Sequence, residues 1–152
     1  ANISLAVDYF SGSGTHNSWR VGVAGDNGGT LQYIHFDCIL DDVLVTTGTS
    51  KYVFRMPYSF QLMDIRASLS TPGSGGGSTI IDVNSNGSSI FTTKLIIDSG
   101  LKTSVESSTQ RVFTTSAFSD NTEITVDVDQ ITNSGGEKGL KVYLKGLIDL
   151  YE

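Results

Sequence analysis

With a single cysteine, Cys38, among 152 residues, no internal disulfide can form, and the fold must hold by packing alone. Only two prolines occur, Pro57 and Pro72. Charged residues make up 17%, below the roughly 25% typical of a soluble domain. The 10 Lys and Arg residues stand singly against 16 Asp and Glu, for a net charge of −6. A nucleic-acid binder needs a positive stripe that displaces condensed counterions, so no nucleic-acid partner is expected. An anionic membrane surface is disfavoured for the same reason. No run approaches the ~18 apolar residues of a spanning helix. The start, Ala1-Asn-Ile-Ser-Leu-Ala-Val7, lacks the basic flank of a signal peptide. Alanine at position 1 fits removal of an initiator methionine, so a complete small gene product is expected. The two histidines, His16 and His35, are far apart in sequence, and zinc would need three or four N or S ligands. No Gly-x-Ser-x-Gly elbow stands between a strand and a helix. Gly12-Ser-Gly14 has no helix to make it a phosphate cradle. No cofactor and no enzymatic activity are expected.

What the chain does have is Ser, Thr, Asn and 17 Gly, the material of turns and hydroxyl-rich sheet faces. Apolar residues recur at every second position. Ile124, Val126 and Val128 alternate with Thr125, Asp127 and Asp129, and Leu140, Val142 and Leu144 share one face. No long 3.6-residue period competes with this pattern. The alternation predicts strands at about 2–8, 18–24, 30–40, 42–46, 50–56, 59–69, 78–84, 89–97, 110–114, 122–130 and 139–148. Asn86-Gly87 marks a tight hairpin, because both residues tolerate positive φ. Pro57 is expected to end one strand before the next, since it donates no backbone hydrogen bond. Pro72–Ser78 is expected as a flexible loop, and Ser116–Asp120 as a single helical or 3₁₀ turn. Turns every 8–14 residues or so predict a single all-β domain over 1–152, an antiparallel β-sandwich of jelly-roll type.

A series of segments carries a resemblance. In order, they are Thr47-Gly-Thr49, Phe54-Arg-Met-Pro-Tyr-Ser-Phe60, Ile65-Arg-Ala-Ser-Leu69 and Ile81-Asp-Val-Asn-Ser-Asn-Gly-Ser-Ser-Ile90. Thr93-Lys-Leu-Ile-Ile-Asp-Ser-Gly100, Lys102-Thr-Ser104, Glu123-Ile-Thr-Val-Asp-Val-Asp-Gln130 and Gly139-Leu-Lys-Val-Tyr-Leu-Lys-Gly146 follow. Residues 45–147 thus resemble a β-sandwich module of tailed-bacteriophage virion structural proteins, fibre-like or capsid-decorating, whereas residues 1–44 match no such pattern. The resemblance implies a non-catalytic virion protein on the particle surface, either a capsid-decorating (cement) protein or a head- or tail-fibre component. Its implied partners are further copies of itself, expected as a homotrimer, and other virion proteins such as the major capsid protein or a fibre. A carbohydrate-binding module that reads a host surface glycan is the alternative.

Cys38 lies in the apolar run Ile34–Leu40, which suits a small buried side chain, and His35 should face the other way. Asp82-Val-Asn84-Ser-Asn86-Gly87 copies the opening of a calcium loop, but the twelfth position is Thr93 instead of Glu, so a plain hairpin is expected. Asp127 and Asp129 share a strand face with Glu123 and Thr125, roughly 6.5–7 Å apart by strand rise. Such a pair suits glycoside hydrolysis or a structural cation, and equally a solvated polar face, the commoner role. Trp19, Tyr33 and Tyr58 are the candidate aromatics for a sugar platform or a subunit interface.

Overall fold

The alternating sequence becomes strand along most of its length. A computed structural model describes residues 30–148, so the strands predicted at 2–8 and 18–24, together with His16 and Trp19, lie outside the described residues. Within them the elements are β1 (Thr30–Asp37), β2 (Gly48–Arg55), β3 (Phe60–Thr71), β4 (Ser78–Ser85), β5 (Ser88–Ser89) and β6 (Phe91–Thr93). After these come β7 (Leu95–Asp98), β8 (Val112–Phe113), β9 (Ala117–Phe118), β10 (Glu123–Gln130) and β11 (Lys138–Ile148). No helix occurs among the described residues.

Most strands form two antiparallel sheets that share one core, and β6 pairs with β8 in a small third sheet. One sheet runs β1-β11-β3-β9, and the other runs β2-β10-β4 with β5 and β7 on the far edge of β4. Successive long strands therefore alternate between layers: β1 and β3 lie in the first sheet, β2 and β4 in the second, and β10 and β11 one in each. Each strand contributes every second residue to the interior. Ile65, Ala67 and Leu69 of β3 and Leu140, Val142 and Leu144 of β11 meet Ile81 and Val83 of β4 and Ile124, Val126 and Val128 of β10 in one buried cluster. At one end Phe36 of β1 reaches across to β2, its ring centroid 4.9 Å from Tyr52 and 4.7 Å from Phe54.

Two local devices shape the first sheet. Lys145 pairs with Asp64 but Gly146 pairs with Leu62, so Met63 is an extra residue, a β-bulge, and is 51% exposed. The bulge reverses the phase of β3. Phe60 and Leu62 point inward before it, and Ile65, Ala67 and Leu69 after it. Asp64, Arg66 and Ser68 are thereby turned to the outer face. The second device is Gly146, where an added Cβ would strike the Gln61 carbonyl oxygen and lie 2.6 Å from the Phe60 ring. Only glycine allows the two strands and that ring to approach so closely.

Three predicted elements differ in the structure. Residues 42–46 form no strand; Leu44 makes a single bridge to Lys138, Val43 turns to solvent and Val45 enters the core. The predicted strand 89–97 is broken into β5, β6 and β7, because five residues, 90–94, separate two stretches that pair with β4 in different registers. The turn expected at Ser116–Asp120 contains β9 instead, pairing Ala117 and Phe118 with Gln61 and Phe60. A two-residue strand is too short to show any period. The hairpin at Asn86-Gly87 forms as expected, with φ of 47° and 82° and Ser85 paired to Ser88. Pro57 stands in the bend between β2 and β3, as expected.

The Gly-rich loop at Pro72–Ser78 is tied down, contrary to its expected slackness. Asn133 N–H donates to the Gly76 carbonyl (3.0 Å), and Ser134 N–H to that of Ser74 (3.0 Å). Beneath this pair of loops lies Glu137, fully buried at 0% exposure. Its carboxylate accepts from the Thr132 N–H (2.7 Å), the Thr79 hydroxyl (3.0 Å) and the Thr132 hydroxyl (3.2 Å). Burial alone would raise the Glu137 pKa, but these donors outweigh it and hold the carboxyl below its ordinary value.

Two outcomes follow for stability. Leu144→Ala, at a fully buried site, should lower the urea-unfolding free energy by about 2–5 kcal/mol, whereas Val53→Ala, half exposed on β2, should change it by less than about 1 kcal/mol. For Glu137, a pKa lower in the folded than in the unfolded chain means stabilisation that is complete above the ordinary glutamate value of about 4.3 and lost as pH falls through the folded value. Wild type should therefore lose stability on acidification below about pH 4.3, and Glu137→Gln should lose less over the same interval, as read by urea midpoints against pH.

Candidate binding face

The acidic row of β10 is occupied by bonds of its own. Asp127 accepts from the Ser50 N–H (2.6 Å) and the Asn84 side-chain amide (3.0 Å). It stands opposite Asp82 across the β10–β4 ladder, a like-charge pair that needs compensation. Lys94, the single residue between β6 and β7, supplies it, with Nζ 2.8 Å from Asp82 and 2.5 Å from Asp129. Hydrogen bonds to Asp129 and then to Asp82 raise the Lys94 pKa and keep the ammonium charged. Glu123 pairs with Arg55 at 3.1 Å. The calcium-like opening is likewise absorbed by the hairpin: Asp82 accepts from the Ser89 hydroxyl (2.6 Å) and Asn86 Oδ1 from the Glu123 N–H (3.1 Å). Among the described residues no three His, Cys, Asp or Glu side chains converge so as to hold a metal ion.

Cys38 is buried beside the core, and His35 faces the opposite side of β1. Burial first, and then the charge of Asp37, push the thiol up to about 12, so it stays protonated at neutral pH and is a poor nucleophile.

The candidate aromatics do not gather in one place. Trp19 lies outside the described residues. Tyr58 sits at the β2–β3 bend and packs against the core, its ring 6.5 Å from Phe60. Tyr33 points outward from β1 and is 65% exposed. The ladder gives it other companions, because register places Tyr33, Lys145 and Asp64 in one row across β1, β11 and β3, and His35, Tyr143 and Arg66 in the next.

These two rows form a groove on the outer face of the four-stranded sheet. Tyr33, Asp64, Arg66, Tyr143 and Lys145 line a depression of about 210 Å³. A second, of about 290 Å³, adjoins it through Arg66 and Tyr143 and is otherwise lined by Ala67, Ser68, Thr103 and Val105. The side chains between them are braced. His35 stacks on Tyr143 at 6.1 Å, and the Tyr143 hydroxyl lies 3.1 Å from the Ser68 hydroxyl. Asp64 accepts from Arg66 Nε (2.8 Å) and from Arg111. Burial would raise the Asp64 pKa, but the two guanidinium groups hold it below the ordinary value. Lys145 Nζ lies over the Tyr33 ring, 5.9 Å from its centroid.

Residues 99–111 complete the second depression by lying along the edge of β3 that β9 leaves open. Ser104 N–H donates to the Ala67 carbonyl (2.9 Å), and Leu69 N–H to that of Lys102 (2.8 Å). Asp98 anchors the far end of this segment through the N–H (2.8 Å) and hydroxyl (2.9 Å) of Ser108. Of the groove residues, sequence reasoning singled out Tyr33 alone. The alternations Tyr143-x-Lys145 and Asp64-x-Arg66 were a signal that these side chains share faces of their strands.

No protein-family model, no curated protein and no solved structure matches this chain.

Lys94→Met keeps the aliphatic stem but strips Asp82, 5% exposed, of its cation. It should cost about 1–3 kcal/mol at neutral pH in urea unfolding. In the Asp82→Asn background the same change should cost clearly less, and equal costs in both backgrounds would show that the ion pair carries no coupling energy.

Proposed function

We propose that this chain is a non-catalytic bacteriophage virion protein, a capsid-decorating or fibre component that works through contacts with further copies of itself and with neighbouring virion proteins. One observation carries this reading: the β1–β2 loop holds large apolar side chains in solvent on a fixed backbone. Leu40 is 67% exposed, Val43 49% and Leu44 54%. The loop is pinned at several points. Val43 N–H donates to the Leu40 carbonyl (2.9 Å), Val45 N–H to that of Glu137 (2.8 Å) and Gly139 N–H to that of Val43 (3.2 Å). Lys141 holds Asp41 at 2.5 Å. A rigid apolar patch loses little conformational freedom when covered, which suits a contact between subunits. The strand order, with neighbouring long strands wound alternately into two layers, supports a jelly roll, an architecture that recurs in viral shells. The acidic residues that would suit hydrolysis are taken up in internal bonds, which favours a mechanical role. Association then adds stability by mass action.

The groove around Tyr33 and Tyr143 favours a second reading, a carbohydrate-binding module of a fibre. Exposed tyrosines beside fixed charged groups are a usual means of holding a sugar ring.

The contact reading is tested at the loop. The purified chain should sediment as a homo-oligomer, expected to be a trimer. Leu40→Glu combined with Leu44→Glu should shift it to monomer with an unchanged far-ultraviolet spectrum, since both sites are exposed. Immunogold labelling with antibody to this chain should mark the surface of the particles whose genome encodes it. A monomeric wild type together with unlabelled particles would overturn the assignment.

A further inference from the structure

We propose that the groove on the outer face of the four-stranded sheet binds a carboxylate-bearing saccharide, such as a uronate oligomer, with Arg66 and Lys145 holding its acid groups and Tyr33 and Tyr143 supporting its rings. The proposal rests on the carbohydrate-binding reading and adds the sign of the ligand's charge.

Charge sets that sign. The chain as a whole carries −6, yet the first depression is lined by two cations, Arg66 and Lys145, and by one carboxylate, Asp64, which also pairs with Arg111 behind it. Asp64 is committed to two guanidinium groups, so it leaves the face net positive. Among the described residues the two Nη groups of Arg66 and the Nζ of Lys145 have no hydrogen-bond or ion-pair partner. The Arg66 side chain is 52% exposed. Its Nε edge is fixed by Asp64, which leaves the Nη groups to donate to a planar carboxylate from a position already set. Preorganisation of this kind lowers the entropy lost on binding.

Shape and aromatic placement select a saccharide over a simple anion. The two adjoining depressions share the wall formed by Arg66 and Tyr143, which suits two consecutive rings with a charged group at the junction. Tyr33 presents an exposed ring at one end, and Tyr143 is braced by His35 and Ser68 at the centre. Ser68 and Thr103 line the second depression and offer hydroxyls to a polyhydroxylated ligand. An acidic peptide would engage the cations but make little use of the ring faces.

Calorimetric titration of the full chain at low salt tests this with three probes: tri-galacturonate, neutral galactotriose and hexaglutamate. The expected result is binding of tri-galacturonate that weakens with added salt, with roughly tenfold or greater loss in Arg66→Gln and in Tyr33→Ala. Lys145→Gln should weaken it less, since a point charge is lost without a fixed fork. All three positions are exposed or half-exposed, so the variants should fold, which circular dichroism checks. Equal binding of galactotriose would overturn the acidic preference and leave the carbohydrate reading standing. Equal binding of hexaglutamate would replace a saccharide by an acidic protein segment. Binding of none of the probes, or binding indifferent to Arg66→Gln and Tyr33→Ala, would overturn both the acidic preference and the carbohydrate reading at this groove, with the subunit-contact reading untouched.

Discussion

The outward faces of the long strands depend on the meeting of alternate side chains from β3 and β11 with those from β4 and β10. Ile65, Leu140, Val142 and Leu144 on one side and Ile81, Val83, Ile124 and Val126 on the other are wholly withdrawn from water. A buried aliphatic side chain of this size contributes about 1.5–3 kcal/mol. With no disulfide and no helix among the described residues, this layer is what sets the strands in register. Once the inward set is chosen, the period of two leaves no freedom over which residues face out. The outer rows Tyr33–Lys145–Asp64 and His35–Tyr143–Arg66 are thus a by-product of the core and, through it, are held rigidly.

Several carboxylates are held by neutral donors or by a placed cation. Glu137 has three donors and no exposure, and Asp98 is held by hydroxyls and a backbone N–H. Asp82 and Asp129 share Lys94. Glu137 and Asp98 stitch loops to strands, so the loop-rich ends carry order that their Gly and Ser content does not suggest. Three consecutive glycines, Gly75 to Gly77, take φ between 71° and 85°, a path closed to most residues, and this lets the loop lie against Asn133 and Ser134.

The regular strands were legible because their apolar residues keep step: β3, β4, β10 and β11 fall within a residue or two of their predicted spans. Cys38 and His35 took the opposite faces that their spacing implied. Elsewhere the local signal misled. Val43-Leu-Val45 has the composition of a strand, yet it pairs only through the single bridge of Leu44 to Lys138, and two of the three side chains remain exposed. Residues 89–97 alternate well enough, but the chain departs from β4 to place Lys94 beside two carboxylates and to pair β6 with β8.

The binding face shows the same division. Composition and alternation by themselves determined an all-β chain, the inward faces of β10 and β11 and the absence of a basic stripe, because each follows from local chemistry and a two-residue period. Which outward residues become neighbours was decided by strand register and by one extra residue at Met63. That bulge turns Asp64 and Arg66 outward, and the pairing of β3 with β11 then brings Arg66 beside Tyr143 and Asp64 beside Lys145. Register is a sum over long-range hydrogen bonds and packing across two layers. No window of sequence contains it, so the groove exists only in the folded sheet.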